Sequence, residues 1–114
     1  MKQFINDKET LVTNAIDGVI ASSGGRLTRL DGFPHIKVVV RTDWDKSKVA
    51  LVSGGGSGHE PAHAGLGGEG MSTAAVCVDI FASPSLDAVL AGILAATGNA
   101  CCLLLLKTYT AARP

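Results

Sequence analysis

Three short runs, Val49 to Ser53, Thr73 to Phe81 and Ala100 to Leu106, are apolar at nearly every position. A strand with one wet face alternates polar and apolar residues. A run that is apolar throughout is buried on both faces, as parallel strands covered by helices are. Between the second and third runs, Ser83 is placed to cap a helix with Pro84 at its first position. Leu86, Val89, Leu90, Ile93 and Leu94 then fall on one face, and Gly98 closes the segment. Between the first and second runs, Glu60 to Leu66 allows only a short helix. Pro61 suits its first turn alone, and Gly65 begins its end. The order strand, helix, strand, helix, strand predicts an α/β fold with a largely parallel sheet and helical crossovers.

The residues ahead of this unit read less uniformly. Asn6 can cap a helix, with Glu9 three positions on as in a capping box. Leu11, Val12, Ala15, Ile16, Val19 and Ile20 recur at helical spacing, and Ser22-Ser23-Gly24-Gly25 ends that pattern. Leu27 to Leu30 and His35 to Arg41 look like strand pieces around a turn at Asp31-Gly32-Phe33-Pro34, and Asp43 to Lys48 is a charged surface loop.

A chain of 114 residues is expected to make one domain. Its 46% hydrophobic residues and mean hydropathy of +0.31 place it on the apolar side of globular proteins. Ten basic and ten acidic residues cancel, and no basic patch interleaved with aromatics points to nucleic acid. The first residues carry charges where a signal peptide needs its apolar core, and no run approaches the roughly 18–20 residues of a membrane span. The expected location is the cytoplasm, with no membrane partner. Cys77, Cys101 and Cys102 are odd in number and lack C-x-x-C spacing, so reduced cysteines acting as small core residues are expected.

The first strand run leads directly into Ser53-Gly54-Gly55-Gly56-Ser57-Gly58-His59-Glu60-Pro61. Glycines allow close approach of the backbone to a ligand. In open α/β sheets, ligands bind beyond the carboxyl ends of the strands. Those ends are Ser53-Gly54 through His59, Phe81-Ala82-Ser83, and Lys107-Thr108-Tyr109, and their polar residues are expected to converge. On the residues alone, His59 and Lys107 stay open between surface groups at strand ends and members of a site. His63 and His35 have no such support and are read as structural or surface residues.

Three motif matches compete around this loop. His59-Glu60-Pro61-Ala62-His63 fits the zinc-peptidase pattern H-E-x-x-H, but that chemistry needs both histidines on a stable helix. Here Pro61 lies between them, and the first histidine follows a flexible glycine loop. Gly65-Leu66-Gly67-Gly68-Glu69-Gly70 fits G-x-G-x-x-G, yet it follows a helical segment and opens a strand, the reverse of a dinucleotide fingerprint. A turn-rich connector is the better reading. Gly55-Gly56-Ser57-Gly58-His59 misses the nucleophile elbow by its last residue, and no Walker lysine follows. No residue is assigned to a metal.

The segment Val49 to His63 resembles the signature of the dihydroxyacetone kinase substrate-binding (K) domain. So do Gly70 to Cys77, Ile80 to Ser85, and Leu106-Lys107-Thr108-Tyr109-Thr110, with support from Phe4-Ile5-Asn6 and Val38-Val39-Val40-Arg41. The resemblance is greatest to the single-chain, ATP-dependent branch and runs from about residue 3 to residue 110. It implies phosphorylation of dihydroxyacetone, and often of other short ketoses or glyceraldehyde, at a terminal hydroxyl. It further implies that Gly56, Ser57, Gly58 and His59 line the substrate, that His59 serves as acid and base, and that Lys107 binds near the same pocket. An imidazole, with its ordinary pKa near neutrality, suits proton transfer from an attacking hydroxyl.

The chain also departs from the family pattern. The usual Lys-Asn-Tyr-(Ser/Thr)-Gly-Asp becomes Lys107-Thr108-Tyr109-Thr110-Ala111-Ala112, so Ala112 replaces an aspartate that contacts the reacting hydroxyl. Val78 stands where glycine is usual. The family's second histidine, which forms a covalent hemiaminal, falls beyond residue 114. So does the L domain expected to bring ATP and Mg. The chain is thus expected to be a truncated or frameshifted N-terminal part of a K domain, spanning residues 1–114. It would bind no cofactor itself and would tend to self-associate through an incomplete sheet. The alternative is an inactive remnant or ketose-binding fragment.

Overall fold

The computed structural model describes residues 7–30, 32, 36–55, 60–78 and 85–107. The expectations for Asn6, His35, Phe81, Ser83, Pro84 and everything beyond Lys107 lie outside the described residues, as do those for Gly56, Ser57, Gly58 and His59. Helix α1 (Leu11–Ser22) is followed by strands β1 (Leu27–Arg29), β2 (Lys37–Arg41) and β3 (Ala50–Gly55). Helix α2 (Glu60–Gly65), strand β4 (Ala74–Cys77), helix α3 (Leu86–Ala96) and strand β5 (Cys102–Lys107) complete the order.

The five strands form one sheet in the order β1-β2-β4-β3-β5. β3 lies parallel to both β4 and β5, so the three apolar runs make the parallel part, as expected. β1–β2 and β2–β4 are antiparallel, so the whole sheet is mixed. The reason is local. The seven residues between β1 and β2 are fewer than the dozen or so that a crossover to a parallel strand needs, and among the described residues the charged loop after β2 carries no helix.

Two layers cover the centre of the sheet. On one face α3 brings Ala88, Gly92 and Ala96 onto Val38, Ala50, Val52, Ala74 and Val76. A Cβ added at Gly92 would stand 2.9 Å from Val76 Cγ2, so the helix rides close to the strands and small residues must face them. This corrects the expected helix face. Val89 and Ile93 pack at the margin, while Leu86, Leu90 and Leu94 are exposed. The helix cap also moves. Ser85 is the N-cap, its hydroxyl accepting from the Ala88 amide at 3.1 Å. At the far end Gly98 is required by proximity rather than by φ, because an added Cβ would collide with the Lys46 carbonyl.

On the opposite face α1 and α2 enclose Val12, Ile16, Leu27, Val39, Ala64 and Cys77. Val12 and Ile16 are buried as their spacing predicts, and Val19 and Ile20 flank them, but Ala15 is exposed. A short 3-10 turn, Lys8–Thr10, precedes α1, and the Asp7 carboxylate caps it by accepting from the Glu9 amide at 3.0 Å.

Two polar ties hold the layers in register. Trp44 Nε1 donates to the Ala96 carbonyl at 2.7 Å, joining the β2–β3 loop to the end of α3. Thr73 engages Leu51 twice, accepting its amide at Oγ1 (3.1 Å) and donating its own amide to the Leu51 carbonyl (2.8 Å). This closes the β3–β4 ladder just before the Val52–Ala74 pairing.

β5 is different. Only Cys102, at its start, packs against the α3 side of the core, and Leu103, Leu104, Leu105 and Leu106 are exposed. The expectation that this strand is buried on both sides fails, whereas the expected apolar edge is present. Cys77 is buried, but Cys102 is only half-buried and Cys101 is exposed. Cys101 is no core residue. It occupies a turn at φ 69, its amide donating to the Gly98 carbonyl at 3.2 Å. No helix among the described residues is long and apolar enough to cross a membrane.

Candidate functional site

β3 and β5 run side by side to a common carboxyl end, with Gly54 opposite Leu106 and Gly55 opposite Lys107. Residues at one level of a parallel pair project to the same face, so Lys107 stands on the face where Gly55 has no side chain. Both glycines are buried strand residues rather than loop. A Cβ on Gly54 would press on Val76 at 3.2 Å. A Cβ on Gly55 would meet Lys107 Cβ at 2.9 Å, the Lys107 carbonyl oxygen at 3.0 Å and His63 Nε2 at 3.2 Å. Gly55 is therefore a gap that two other residues fill.

His63 enters this gap from α2. Its side chain is 8% exposed and faces the sheet. Of the two readings the sequence left for His63, structural or surface, the structure gives the first. α2 spans Glu60–Gly65, and the imidazole of His63 is turned onto Gly55, while the other histidine of the zinc pattern, His59, lies outside the described residues.

Of the expected site residues, the structure describes Lys107, at the exposed end of β5 and beside Gly55. The chain passes from Gly55 to Glu60 through Gly56, Ser57, Gly58 and His59, which lie outside the described residues. Gly65 to Gly70 is a connector, as read. Gly67 bridges to Ser72, Gly70 sits at φ 73, and the segment leads into β4. It opens no helix and forms no phosphate cradle.

A hollow of about 710 Å³ lies at the other end of β3, lined by Arg41, Asp43, Trp44, Lys48, Glu69 and Met71 among others. Its best-placed cation is already engaged. Arg41 donates to Asp43 from Nε at 2.9 Å and Nη2 at 3.1 Å, and its guanidinium stacks 5.4 Å over the Trp44 ring. The bonds from Arg41 hold the Asp43 carboxyl below its ordinary value. Asp45 is lowered likewise, by the Ser47 amide and hydroxyl. The arrangement organises a loop at the opposite end of β3 from Lys107.

Comparison with known proteins gives the family and the fold. Residues 17–113 match the Dak1 domain. The chain is 58% identical over 111 residues to a dihydroxyacetone kinase of Citrobacter freundii, covering 96% of this chain and 20% of that protein. It is 46% identical over 110 residues to the PTS-dependent dihydroxyacetone kinase 1, dihydroxyacetone-binding subunit DhaK, of Listeria innocua, covering 96% of this chain and 32% of that one. A crystal structure of the dihydroxyacetone kinase from C. freundii in complex with AMP-PNP and Mg2+ superposes with a TM-score of 0.87 at 56% identity, over 96% of this chain and 20% of the other. The chain thus spans between a fifth and a third of the length of these relatives.

Proposed function

The chain belongs to the Dak1 family, and on that premise we propose that it supplies the glycine-loop part of a dihydroxyacetone-binding site in a phosphotransferase. The observation that carries this reading is the shared strand end. Gly55 pairs with Lys107, so the glycine loop that leaves β3 starts beside the one described cation expected in the site. A relative named as a dihydroxyacetone-binding subunit supports the substrate class.

In this reading Gly56, Ser57 and Gly58 line the ketose by backbone contact, and Lys107 holds an oxygen of the substrate. His59 hydrogen-bonds the reacting hydroxyl and takes its proton as that oxygen attacks phosphorus. The phosphoryl donor in this reading is ATP with Mg, and the C. freundii dihydroxyacetone kinase solved in complex with AMP-PNP and Mg2+ supports it. The described residues do not fit a nucleotide, since the glycine-rich connector before β4 opens a strand instead of a helix. The donor site therefore belongs to other residues, and the chain's own part is to bind and orient the ketose. We place the activity in the cytoplasm, in glycerol and dihydroxyacetone catabolism. Self-association is assigned to the leucines of β5.

Titration of dihydroxyacetone into the isotope-labelled 114-residue chain tests the reading. Shifts confined to Gly54, Gly55, Lys107 and the loop between β3 and α2 are expected. Adding ATP and Mg is expected to give no turnover, because positioning of both reactants and charge neutralisation at phosphorus are required. Absence of any dihydroxyacetone-dependent shift would overturn the binding role. Turnover at about 1 to 10³ per second would overturn the restriction to substrate binding.

A further inference from the structure

We propose that the chain forms a two-fold dimer in which β5 pairs antiparallel with β5 of a second copy, centred on Leu104, joining the five-stranded sheets of two chains into one. This rests on the self-association assigned to β5 above and gives it an orientation and a register. It is independent of the substrate.

The two edges of the sheet are unlike. β1 spans only Leu27–Arg29, and its Arg29 is ion-paired with Asp17 at 2.8 Å. A short edge strand carrying a charge resists pairing. β5 spans Cys102–Lys107 without proline or glycine, and its four successive leucines are between 39% and 63% exposed. Its single charge, Lys107, stands at the end.

The ladder to β3 decides which backbone groups of β5 are left over. The Ala50 amide donates to the Cys101 carbonyl at 3.2 Å, and Ala50 stands opposite Cys102. Bonds of a parallel ladder use alternate residues, so Cys101, Leu103, Leu105 and Lys107 turn their amides and carbonyls to β3. Cys102, Leu104 and Leu106 turn theirs outward, on the side where β5 has no neighbour among the described strands. A second β5 related by a two-fold axis perpendicular to the sheet keeps each face on its own side, so outward residues meet outward residues. With the axis at Leu104, Leu104 meets Leu104 and each Cys102 meets a Leu106, and all three outward residues are bonded. With the axis at Leu103 or Leu105, Leu106 or Cys102 would face a residue outside β5.

The side chains agree with this register. Cys102 packs on the α3 side, so Leu104 and Leu106 share that face, while Leu103, Leu105 and Lys107 share the other. Across the axis Leu103 meets Leu105 of the second copy on one face, and Leu104 meets Leu104 on the other. Such apolar cross-strand pairs are the unit of sheet stabilisation. An exposed stripe that matches itself under a two-fold axis is what an isologous interface requires, so a second copy is the partner that fits. Lys107 then stands opposite Cys101, and the two lysines are about 20 Å apart along the strands. An in-register parallel pairing would set them about 5 Å apart, so charge selects the antiparallel arrangement.

Sedimentation equilibrium of the 114-residue chain tests the dimer, with thermal melting as the check on folding. With rising concentration the parent is expected to reach a limit at two chains. Leu104→Pro removes an outward amide and no bond to β3, an orientation in which an edge strand tolerates proline. It is expected to weaken association about tenfold or more while melting within a few degrees of the parent. In a Cys101→Ser, Cys102→Ser background, Leu104→Cys is expected to form a disulfide-linked dimer in air. Cα atoms of a hydrogen-bonded antiparallel pair stand about 5.5 Å apart, within disulfide reach. Leu106→Cys in the same background, about 14 Å along the strands from its counterpart, is expected to stay reduced. A parent that stays monomeric overturns the dimer and the self-association with it, whether its β5 edge is open or taken by another segment of the chain. Growth beyond two chains, or unchanged association in a folded Leu104→Pro chain, overturns this pairing and leaves self-association standing. Should Leu104→Pro fail to fold, the cysteine variants decide. Cross-linking at 104 and not at 106 supports the register, and any other pattern overturns it.

Discussion

The centre of the sheet and its β5 edge are built from the same kinds of residue and have opposite environments. β2, β4 and β3 place Val38, Val39, Val52 and Val76 between helices on both faces, and each is 2% exposed or less. β5 contributes Leu103, Leu104, Leu105 and Leu106, all larger and all exposed. Composition therefore does not decide burial here. Position relative to the crossovers does. α3 leaves β4 and lies across β2, β4 and β3 before the chain returns as β5, so the strand it delivers is left outside the layer it forms. An edge of that kind, long and apolar with free backbone groups, is a template for association.

The largest effect that would test this contrast is at Ile16, 1% exposed beneath the α1 side of the centre. Ile16→Ala removes buried methyl groups from a close-packed layer and is expected to cost about 2–5 kcal/mol in chemical denaturation. A cost under about 1 kcal/mol would mean that the α1 layer relaxes or is not firmly docked, and the centre would lose its distinction from the edge.

At the edge, the double substitution Leu103→Ser, Leu105→Ser is expected to change the stability of the dilute chain by only about 0.5 kcal/mol per site, the usual range for exposed positions. Both residues are on the Lys107 face, and they are 63% and 55% exposed. Its visible result is expected in sedimentation, where concentration-dependent association should fall. If the double variant unfolds as readily as Ile16→Ala, β5 is carrying packing that its exposure does not reveal. If association is undiminished, the sticky surface lies elsewhere, with exposed Leu86, Leu90 and Leu94 of α3 as the next candidates.

What could be read in advance follows the same division. The parallel trio was legible because a run such as Val49 to Ser53 has no polar face to expose. The α1 face was legible from Val12 and Ile16 at helical spacing. The face of α3 was not, because hydrophobicity marks large side chains, while close packing selects small ones, here Ala88, Gly92 and Ala96. The antiparallel side was not, because no residue in β2 announces which neighbour it will choose. The place of Lys107 at a strand end was legible. The burial of His63 was not fixed in advance, because nothing in the sequence says that Gly55 yields it space.

The smallest expected effect concerns the loop between the central strands β2 and β3, and it is a matter of sign. Arg41, in β2, donates two hydrogen bonds to Asp43, and these lower the Asp43 pKa in the folded chain. A carboxyl whose pKa is lowered by folding contributes stability that is present above its unfolded value, about 4, and is lost as pH falls through the lowered folded value. Asp45 acts in the same direction through Ser47. Both carboxylates are exposed, so solvent screens the effect and only a shallow acid limb is expected. Trp44 is the chain's one tryptophan, and it lies between Arg41 and the Ala96 carbonyl, so its fluorescence reports on this loop. Melts of the parent should lose stability below about pH 4, and Asp43→Asn should flatten that limb while leaving the neutral plateau nearly unchanged. An identical acid limb in Asp43→Asn would assign the loss to other carboxylates. The Arg41–Asp43 pair would then be an ornament of the loop, and the Trp44 bond to α3 would be the contact that ties the loop to the buried centre.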